Sequence, residues 1–310
     1  MSNVRVFATR RFPPRVREEL ERSFDLDVHD SEWPPSREDL LARTAGCDGL
    51  MTMLTDRIDD ELLDATGPQL RVVANFAVGY DNVDVPACTR RGVIVSNTPD
   101  VLTQATAELT IALLLALLRR VAEGDRLVRR RADWIWAPNM MLGRGLAGLT
   151  LGLVGHGRIG QAVERLALAH GMRVVWTGHG RGMSPDKLLA DSDVVSLHLP
   201  LTDETHHLID AAALARMQPS AVLVNTSRGP IVDEAALVDA VREGRIAGAA
   251  LDVFEHEPEV HPGLLGLENV VLVPHLGSAT AETREAMGML CVEALRAVLL
   301  EKRTPANAVD

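Results

Sequence analysis

A glycine-rich turn in the middle of the chain constrains its fold more than any other feature of the sequence. Gly155, Gly157 and Gly160 form a G-x-G-x-x-G pattern between an apolar run at residues 151–154 and a helical pattern at residues 161–169. In that setting the first glycine permits a tight turn, the second lets the backbone approach a pyrophosphate, and the third lets helix and strand pack closely. The segment predicts a strand–turn–helix unit that binds a dinucleotide, with an ordinary glycine-rich turn as the alternative.

Short apolar runs alternate with amphipathic stretches along the whole chain. This alternation is typical of parallel sheets with helices on both faces. In the first third of the chain, strands are predicted at residues 4–8, 50–54, 71–76 and 93–95, and helices at 14–22 and 36–45. Later strands are predicted at residues 150–154, 173–176, 193–199, 221–225, 247–251 and 270–273. We therefore expect an α/β fold made of two doubly wound parallel-sheet domains.

A long helical stretch at residues 102–131 separates the two sets of strands, and a last helix is predicted at residues 281–300. If that last helix packs on the N-terminal strands, the first domain is discontinuous. It then consists of residues 1–98 and 282–310, and an inserted domain spans residues 99–281. In that arrangement the active site is expected in the cleft between the two domains.

Composition and charge narrow the class of protein. The 310 residues are enough for two cores, and a content of 46% hydrophobic and 24% charged residues indicates a globular protein. The net charge of −11 disfavours nucleic acid or an acidic membrane surface as the main partner. It leaves an anionic substrate possible, because one buried arginine can dominate the potential inside a cleft.

Several features predict a cytoplasmic protein. Cys47, Cys88 and Cys291 are far apart and form no C-x-x-C pair, which is typical of reduced thiols. The N-terminus lacks the apolar core of a signal peptide. The longest apolar run, residues 109–118, is too short to span a bilayer and instead predicts a buried helix.

Polar or glycine-bearing segments follow the later strands of the second domain. In chain order these segments contain His198 and Pro200, then Thr226 and Arg228, then Asp252, then His275, Gly277 and Ser278. Open α/β sheets bind ligands at the carboxyl ends of their strands, so all these residues are expected at one edge. Any one of them means little, whereas the whole set predicts a ligand site.

Arg228, Glu257 and His275 form the best chemical trio in the sequence. Reduction of a 2-oxo acid requires a polarised carbonyl, a held carboxylate and a proton for the alkoxide oxygen. The forked guanidinium of Arg228 suits the first two tasks, and His275 can donate a proton near neutral pH. Glu257 could hold the imidazole and favour its charged form. Each residue also has a structural alternative, respectively a helix-entry arginine, a solvated carboxylate and a strand-end histidine bonded to backbone.

The residues after the second strand of the later domain bear on the choice of cofactor. NAD-preferring enzymes usually carry an acidic residue there for the ribose 2′-hydroxyl, whereas this chain has none until Asp186. His179 and Arg181 stand there instead, among small residues. Their room and positive charge suit a 2′-phosphate, so NADP(H) is favoured and NAD(H) is possible. The alternative for Arg181 is a side chain that points into solvent.

Two adjacent histidines, His206 and His207, resemble a metal-binding pair. Adjacent side chains are expected to diverge, and no further ligands are evident in the sequence. We interpret both as surface residues and predict no metal site.

Six motifs make the chain resemble a known family. They are residues 74–82 (ANFAVGYDN), 97–103 (NTPDVLT), the glycine-rich turn, 224–229 (VNTSRG), 251–258 (LDVFEHEP) and 274–280 (PHLGSAT). The chain is similar to the D-isomer-specific 2-hydroxyacid dehydrogenases and, within them, to the glyoxylate/hydroxypyruvate reductases. The similarity covers residues 72–300 and is weaker before them.

The resemblance implies a flavodoxin-like substrate domain and a Rossmann cofactor domain. It implies that the trio is catalytic, that the backbone amides of Val78 and Gly79 hold the substrate carboxylate, and that Ser278 borders the substrate. Leu54 lies in a loop that shapes the substrate pocket. The resemblance implies cofactor contacts at Arg158, Ile159, His198, Thr226, Asp252 and Gly277. The other predicted cofactor contacts are Pro200, the turn glycines, and His179 and Arg181 after the second strand.

The implied reaction is NAD(P)H-dependent reduction of glyoxylate to glycolate or of hydroxypyruvate to D-glycerate, with His275 as the proton donor. Two alternatives are another D-2-hydroxyacid or phosphite-type dehydrogenase, and a non-catalytic dinucleotide-sensing protein of the corepressor type. The resemblance also implies a homodimer joined through the cofactor domains, in which Trp134 or Trp136 reaches a partner's substrate pocket.

The chain departs from the family pattern between Thr177 and Asp193. This segment is shorter than in relatives and is expected to lack a small strand after the second strand of the cofactor domain. The adenine side of the pocket would then be open, which weakens the inference of NADP(H).

Overall fold

The computed structural model describes residues 4–178 and 180–309, which fall into two compact units. The first unit comprises Met1–Leu102 and Thr280–Asp310, and the second comprises Thr103–Ala279. One sheet has five strands and the other has seven. The predicted α/β fold with two largely parallel sheets is therefore confirmed.

The first unit is built on a five-stranded parallel sheet. Its strands are β1 (Arg5–Ala8), β2 (Asp25–Val28), β3 (Gly49–Thr52), β4 (Val72–Asn75) and β5 (Ile94–Ser96). They lie in the order β2-β1-β3-β4-β5, which is the flavodoxin-like order with its switch point between β1 and β3. Every residue of β3 and β4 is buried, as expected for parallel strands covered on both faces.

Helices pack against this sheet, and all of them except the first begin with a side-chain cap. They are α1 (Pro14–Ser23), α2 (Arg37–Thr44), α3 (Asp60–Thr66), α4 (Val85–Arg90) and the C-terminal helix Ala281–Leu299. Ser36, Asp59 and Asp84 cap α2, α3 and α4 by accepting hydrogen bonds from backbone amides of the first turn. The C-terminal helix approaches β3 closely at Gly49, because a Cβ there would lie 2.8 Å from the Leu299 side chain.

The second unit is built on a seven-stranded sheet. Its strands are β6 (Thr150–Val154), β7 (Arg173–Gly178), β8 (Arg181–Gly182), β9 (Val194–Leu197), β10 (Val222–Asn225), β11 (Gly248–Leu251) and β12 (Val270–Leu272). They lie in the order β12-β11-β10-β9-β6-β7-β8, and only the β7–β8 pair is antiparallel. Read from β8, this is the Rossmann order with its switch point between β6 and β9.

Two apolar cores cover the two faces of this sheet. Successive residues of a strand point to opposite faces. Accordingly, Leu223 of β10 belongs to one core with Leu197, whereas Val222 and Val224 belong to the other with Leu151. The helices of the unit are α5 (Thr103–Leu118), α6 (Val121–Arg129), α7 (Arg158–Ala169), α8 (Pro185–Asp191), α9 (Ala211–Arg216), α10 (Glu234–Arg242) and α11 (Pro262–Leu265).

Two sequence predictions about this unit are wrong. The long helix predicted at residues 102–131 is two helices, because Arg120 adopts a left-handed φ of 55° between α5 and α6. A small strand does follow β7, since Arg181 and Gly182 pair with Gly178 and Thr177.

In the first unit, strand β2 was not predicted. The apolar run at residues 109–118 lies in α5, a 16-residue helix of which eight residues are buried, in agreement with the predicted buried helix. None of the helices in residues 4–178 and 180–309 has the length and apolar character that crossing a membrane requires.

Candidate active site

The glycine-rich turn lies at the switch point of the seven-stranded sheet. Gly155 has a φ of 99°, and a Cβ there would lie 2.2 Å from the carbonyl oxygen of His198 at the end of β9. A Cβ on Gly160 would lie 2.4 Å from the Gly155 carbonyl oxygen. Both positions therefore require glycine so that the turn can press against its neighbours.

The turn leaves an open approach to the start of α7. Gly157 is the N-cap of this twelve-residue helix, so no capping side chain shields the first amides. A Cβ on Gly157 would meet nothing within 4 Å. Exposed amides and the positive end of the helix dipole suit an anionic group, which fits the pyrophosphate of a dinucleotide.

A carboxylate and an imidazole of the predicted trio are in direct contact. Glu257 Oε2 lies 2.8 Å from His275 Nδ1, and Glu257 Oε1 accepts a hydrogen bond from the Phe254 amide at 3.0 Å. Both side chains are about one-quarter exposed, so they remain reachable from solvent. With Nδ1 turned to the carboxylate, Nε2 is the imidazole nitrogen left to exchange a proton with a ligand.

A buried aspartate shapes the turn that presents His275. Asp252 follows β11, and its carboxylate accepts hydrogen bonds from the amides of Leu276 at 2.5 Å and Gly277 at 2.8 Å. The His275 amide donates to the Asp252 carbonyl at 2.8 Å, and His275 has a φ of 54°. Burial raises the pKa of Asp252. Asp252 thus has a structural role beside its predicted contact with the cofactor.

Arg228 is presented by a turn after β10 that the side chain of Asn225 stabilises. Asn225 Nδ2 donates to the Arg228 carbonyl at 2.8 Å, and Asn225 Oδ1 accepts from the Ser227 amide at 3.0 Å. Arg228 Nη1 donates to the Ser227 carbonyl at 2.9 Å, and the side chain is partly exposed. The guanidinium is therefore held near its own backbone and keeps a face toward solvent.

The other residues predicted to contact the cofactor or substrate in this unit also follow strands. His198 and Pro200 follow β9, Thr226 follows β10, and Gly277 and Ser278 follow β12. Arg158 and Ile159 open α7, and Arg181 is exposed on β8. His179 lies outside the described residues. Apart from His179, the residues predicted in this unit thus lie in segments at the carboxyl edge of the sheet.

In the first unit, Val78 and Gly79 follow β4. Asn75 Nδ2 donates to the Gly79 carbonyl at 3.1 Å, and Asn97 Nδ2 donates to the Val78 carbonyl at 2.8 Å. Among the described residues, the amides of Val78 and Gly79 have no hydrogen-bond acceptor. Two adjacent amides with tethered carbonyls and unused hydrogens are suited to bind a carboxylate.

The loop that contains Leu54 follows β3, and hydrogen bonds from the side chain of Asn82 hold it in place. Asn82 Nδ2 donates to the carbonyls of Met53 at 3.1 Å and Asp56 at 2.9 Å. Asn82 also contacts Asn75, so one pair of amide side chains holds both loops. Sequence reasoning assigned no role to either asparagine.

Comparison with known proteins settles the family. A family model described as the NAD binding domain of D-isomer specific 2-hydroxyacid dehydrogenases matches residues 111–277. The chain belongs to the D-isomer specific 2-hydroxyacid dehydrogenase family. The matched residues contain the glycine-rich turn, Arg228, Glu257 and His275, which is the part of the chain with the site geometry described above.

Relatives of this dehydrogenase are similar over nearly the whole chain. A glyoxylate reductase of Korarchaeum cryptofilum is 50% identical, over 94% of this chain and 91% of its own length. A glyoxylate reductase of Aeropyrum pernix is 49% identical, over 100% of this chain and 97% of its own.

Solved structures are also similar to it. A protein of Thermus thermophilus is 47% identical with a TM-score of 0.93, covering 99% of this chain and 100% of its own. An NADPH-dependent glyoxylate/hydroxypyruvate reductase of Sinorhizobium meliloti, solved with NADP and malonate, is 35% identical. Its TM-score is 0.86, and the match covers 99% of this chain and 97% of its own.

His198 is expected to make the stability of this dehydrogenase depend on pH. Its ring lies 2.9 Å from Ser196 Oγ, and removal from water lowers its pKa from 6.5 to about 3. Between these values the unfolded chain binds a proton that the folded chain does not, so stability falls as pH drops below 6.5. The slope is up to about 1.4 kcal/mol per pH unit.

Urea unfolding of the cofactor-free enzyme tests this prediction. Between pH 6.5 and about pH 5, the wild-type protein should lose up to ~2 kcal/mol more than a His198→Gln variant. Groups shared by both proteins, including Asp252, cancel in the comparison. The same pH dependence in both proteins would contradict the prediction.

Proposed function

We propose that this chain reduces small 2-oxo acids with NAD(P)H, converting glyoxylate to glycolate and hydroxypyruvate to D-glycerate. The observation that carries the proposal is the 2.8 Å contact between Glu257 Oε2 and His275 Nδ1, at the sheet edge that also presents Arg228. Its similarity to glyoxylate reductases, at 50% and 49% identity, supports this substrate class.

In the proposed reduction, Arg228, His275 and Glu257 have separate roles. A bound nicotinamide would supply the hydride to the carbonyl carbon. Arg228 binds the substrate carboxylate and polarises the carbonyl with its forked donors, which stabilises the negative charge that develops on oxygen. His275 gives that oxygen a proton from Nε2, while Glu257 holds Nδ1 and stabilises the charged imidazole. In the first unit, the amides of Val78 and Gly79 suit a carboxylate.

Initial rates with glyoxylate and hydroxypyruvate, each with NADH and NADPH, test the proposal. We expect steady turnover of at least one of the two acids. If other 2-hydroxy acids or phosphite react and these two do not, the chain is a different dehydrogenase of the same family. If dinucleotide binds tightly and no acid reacts, the non-catalytic sensing role is favoured instead.

We further propose that NADP(H) is the preferred cofactor and that NAD(H) is used less well. Strand β7 ends at Gly178 without an acidic residue, and β8 places the exposed Arg181 in register with Gly178. A guanidinium beside the end of β7 suits the 2′-phosphate. The NADP bound to the Sinorhizobium meliloti reductase supports the same choice.

Replacing Arg181 with alanine should separate the two cofactors. We expect kcat/KM with NADPH to fall about tenfold, because one charge-assisted phosphate contact is lost, while the value with NADH stays within about twofold. Arg165→Ala, which removes an exposed arginine two turns into α7, is the matched control and should change neither value. An equal fall in kcat/KM with both cofactors would show that Arg181 does not bind the 2′-phosphate that distinguishes NADPH from NADH.

We also propose a homodimer joined through the second unit, in which Trp134 or Trp136 reaches the partner's substrate pocket. Helix α6 has no buried residue, and the segment after it exposes 57% of Trp134, 74% of Ile135 and 87% of Trp136. The two tryptophans line an apolar hollow together with Gly124, Leu127, Val128, Ala137, Met140 and Met141. An apolar surface this continuous is typical of a permanent interface.

Substituting Trp136 with serine should weaken this dimer. Loss of a buried tryptophan costs about 3 kcal/mol, and a homodimer loses two, so the dimer dissociation constant should rise by roughly 10⁴-fold. Sedimentation at several concentrations would measure the shift toward monomer. Trp33→Ser is the control, because Trp33 is 76% exposed and lies in the first unit. A dimer constant that stays the same in Trp136→Ser, or a wild-type monomer, would contradict the proposed interface.

A further inference from the structure

His206, His207 and Glu255 form a cluster to which the proposed reaction assigns no role. The ligand atoms of these three side chains all lie within 4.8 Å of one another. The two imidazole rings stack with centroids 4.1 Å apart, and His207 Nε2 lies 2.6 Å from Glu255 Oε1. The prediction that the two side chains diverge and lack a further ligand is therefore wrong, whereas His206 is exposed, as predicted for a surface residue.

The backbone explains why two consecutive histidines lie side by side. Consecutive side chains point apart in a strand. His207 instead has a left-handed φ of 50°, and its amide donates to the Pro230 carbonyl at 2.8 Å. This turn brings its ring beside that of His206.

The carboxylate of the cluster is held from behind by a buried residue. The Glu255 amide donates to Glu234 Oε1 at 2.8 Å, and the Glu234 amide donates to Glu255 Oε2 at 3.4 Å. Glu234 opens α10 and is only 4% exposed. These contacts leave Glu255 Oε1 directed at His207. Orientation of a ligand by its neighbours is typical of metal sites.

We propose that His206, His207 and Glu255 bind a divalent transition-metal ion, with Zn²⁺ as the type ion. Two imidazole nitrogens and one carboxylate oxygen form a donor set that suits Zn²⁺, and water fills the open position toward solvent. Binding uses the neutral tautomer of His207 that carries its proton on Nδ1, so that the lone pair of Nε2 is free for the metal. Mg²⁺ and Ca²⁺ prefer oxygen ligands and do not compete.

Occupancy of this site would join two loops of the second unit. His206 and His207 follow β9, whereas Glu255 follows β11 and lies two residues before Glu257. An ion that binds only the folded chain stabilises it, so metal should raise the melting temperature. This consequence does not depend on catalysis and can be measured without any substrate.

Titration of EDTA-treated enzyme with Co²⁺ tests the proposal, because Co²⁺ bound to imidazole and carboxylate absorbs visible light. We expect one Co²⁺ per chain, displacement by Zn²⁺, a higher melting temperature with either ion, and no response to Mg²⁺. His206→Ala and Glu255→Gln should each weaken binding roughly tenfold or more and abolish the thermal shift.

The controls keep the test decisive. His206 is exposed, so its replacement leaves the fold intact, which melting without metal would verify. His170→Ala removes another exposed histidine, at the end of α7, and should bind Co²⁺ like the wild type. No Co²⁺ binding at millimolar concentration, or equal affinity in the wild type and His206→Ala, would overturn the proposal.

Discussion

Replacing Arg228 with alanine is expected to lower kcat/KM for glyoxylate by at least about 10³-fold, which corresponds to ~4 kcal/mol of lost transition-state stabilisation. The effect is expected to be large because, in the proposed reaction, one side chain both binds the carboxylate and stabilises charge on the carbonyl oxygen. The fold should survive, since the turn is held by the side chain of Asn225 and by backbone groups rather than by the guanidinium alone.

Two further variants show whether the guanidinium geometry matters. Arg228→Lys keeps the charge and loses the fork, so its kcat/KM should recover only part of the loss. Arg242→Ala removes an exposed arginine at the end of α10 and should behave like the wild type. If Arg228→Ala retains kcat/KM within tenfold of the wild-type value, the proposed role of Arg228 is wrong.

The strands were predictable from the sequence where an apolar run coincides with a strand that is buried on both faces. Wholly buried parallel strands such as β4 and β10 read as continuous apolar runs. The strands that were missed or excluded are short edge strands. Strand β2 alternates aspartate with leucine and valine and buries no residue fully, and β8 is only two residues long. Pairing with a neighbour, rather than composition, makes these segments strands.

The residues of the site with distinctive chemistry were also predictable, whereas the asparagines that hold their loops by hydrogen bonds were not. Arginine, glutamate and histidine stand out at the ends of apolar runs, and two of the three are in contact in the structure. Asn75, Asn82 and Asn225 look like ordinary loop or strand-end residues, and their partners become visible only when distant segments meet. The roles of all these residues stay predictions until variants are measured.

The histidine pair shows a different limit of sequence reasoning. Whether His206 and His207 diverge depends on one backbone angle, the φ of 50° at His207. Nothing in the neighbouring residue types requires that angle. Glu255, the third member, is 48 residues away from His207 in the chain. A ligand set assembled by one unusual backbone angle and one long-range contact cannot be read from spacing.

A second large effect is expected from Gly229→Ala, which adds one methyl group behind Arg228. A Cβ at Gly229 would lie 1.9 Å from both the carbonyl carbon and the oxygen of Phe254 and 2.5 Å from the amide nitrogen of Glu255. These are backbone atoms, so no side-chain rotation can relieve the clash. The segment that positions Glu257 must move, because the Phe254 amide is the donor to Glu257 Oε1.

We expect Gly229→Ala to lose about 3 kcal/mol or more of unfolding free energy and at least about 10²-fold in kcat/KM. Gly266→Ala is the matched control, because a Cβ there would meet nothing within 4 Å, and its stability should stay within about 0.5 kcal/mol of wild type. Urea unfolding and steady-state rates would measure both variants.

Because the clash displaces the Glu257 segment and leaves the glycine-rich turn in place, the dinucleotide affinity of the folded Gly229→Ala variant should fall much less than its kcat. If the two variants unfold at the same urea concentration, the close approach of Gly229 to Phe254 is not what fixes this loop.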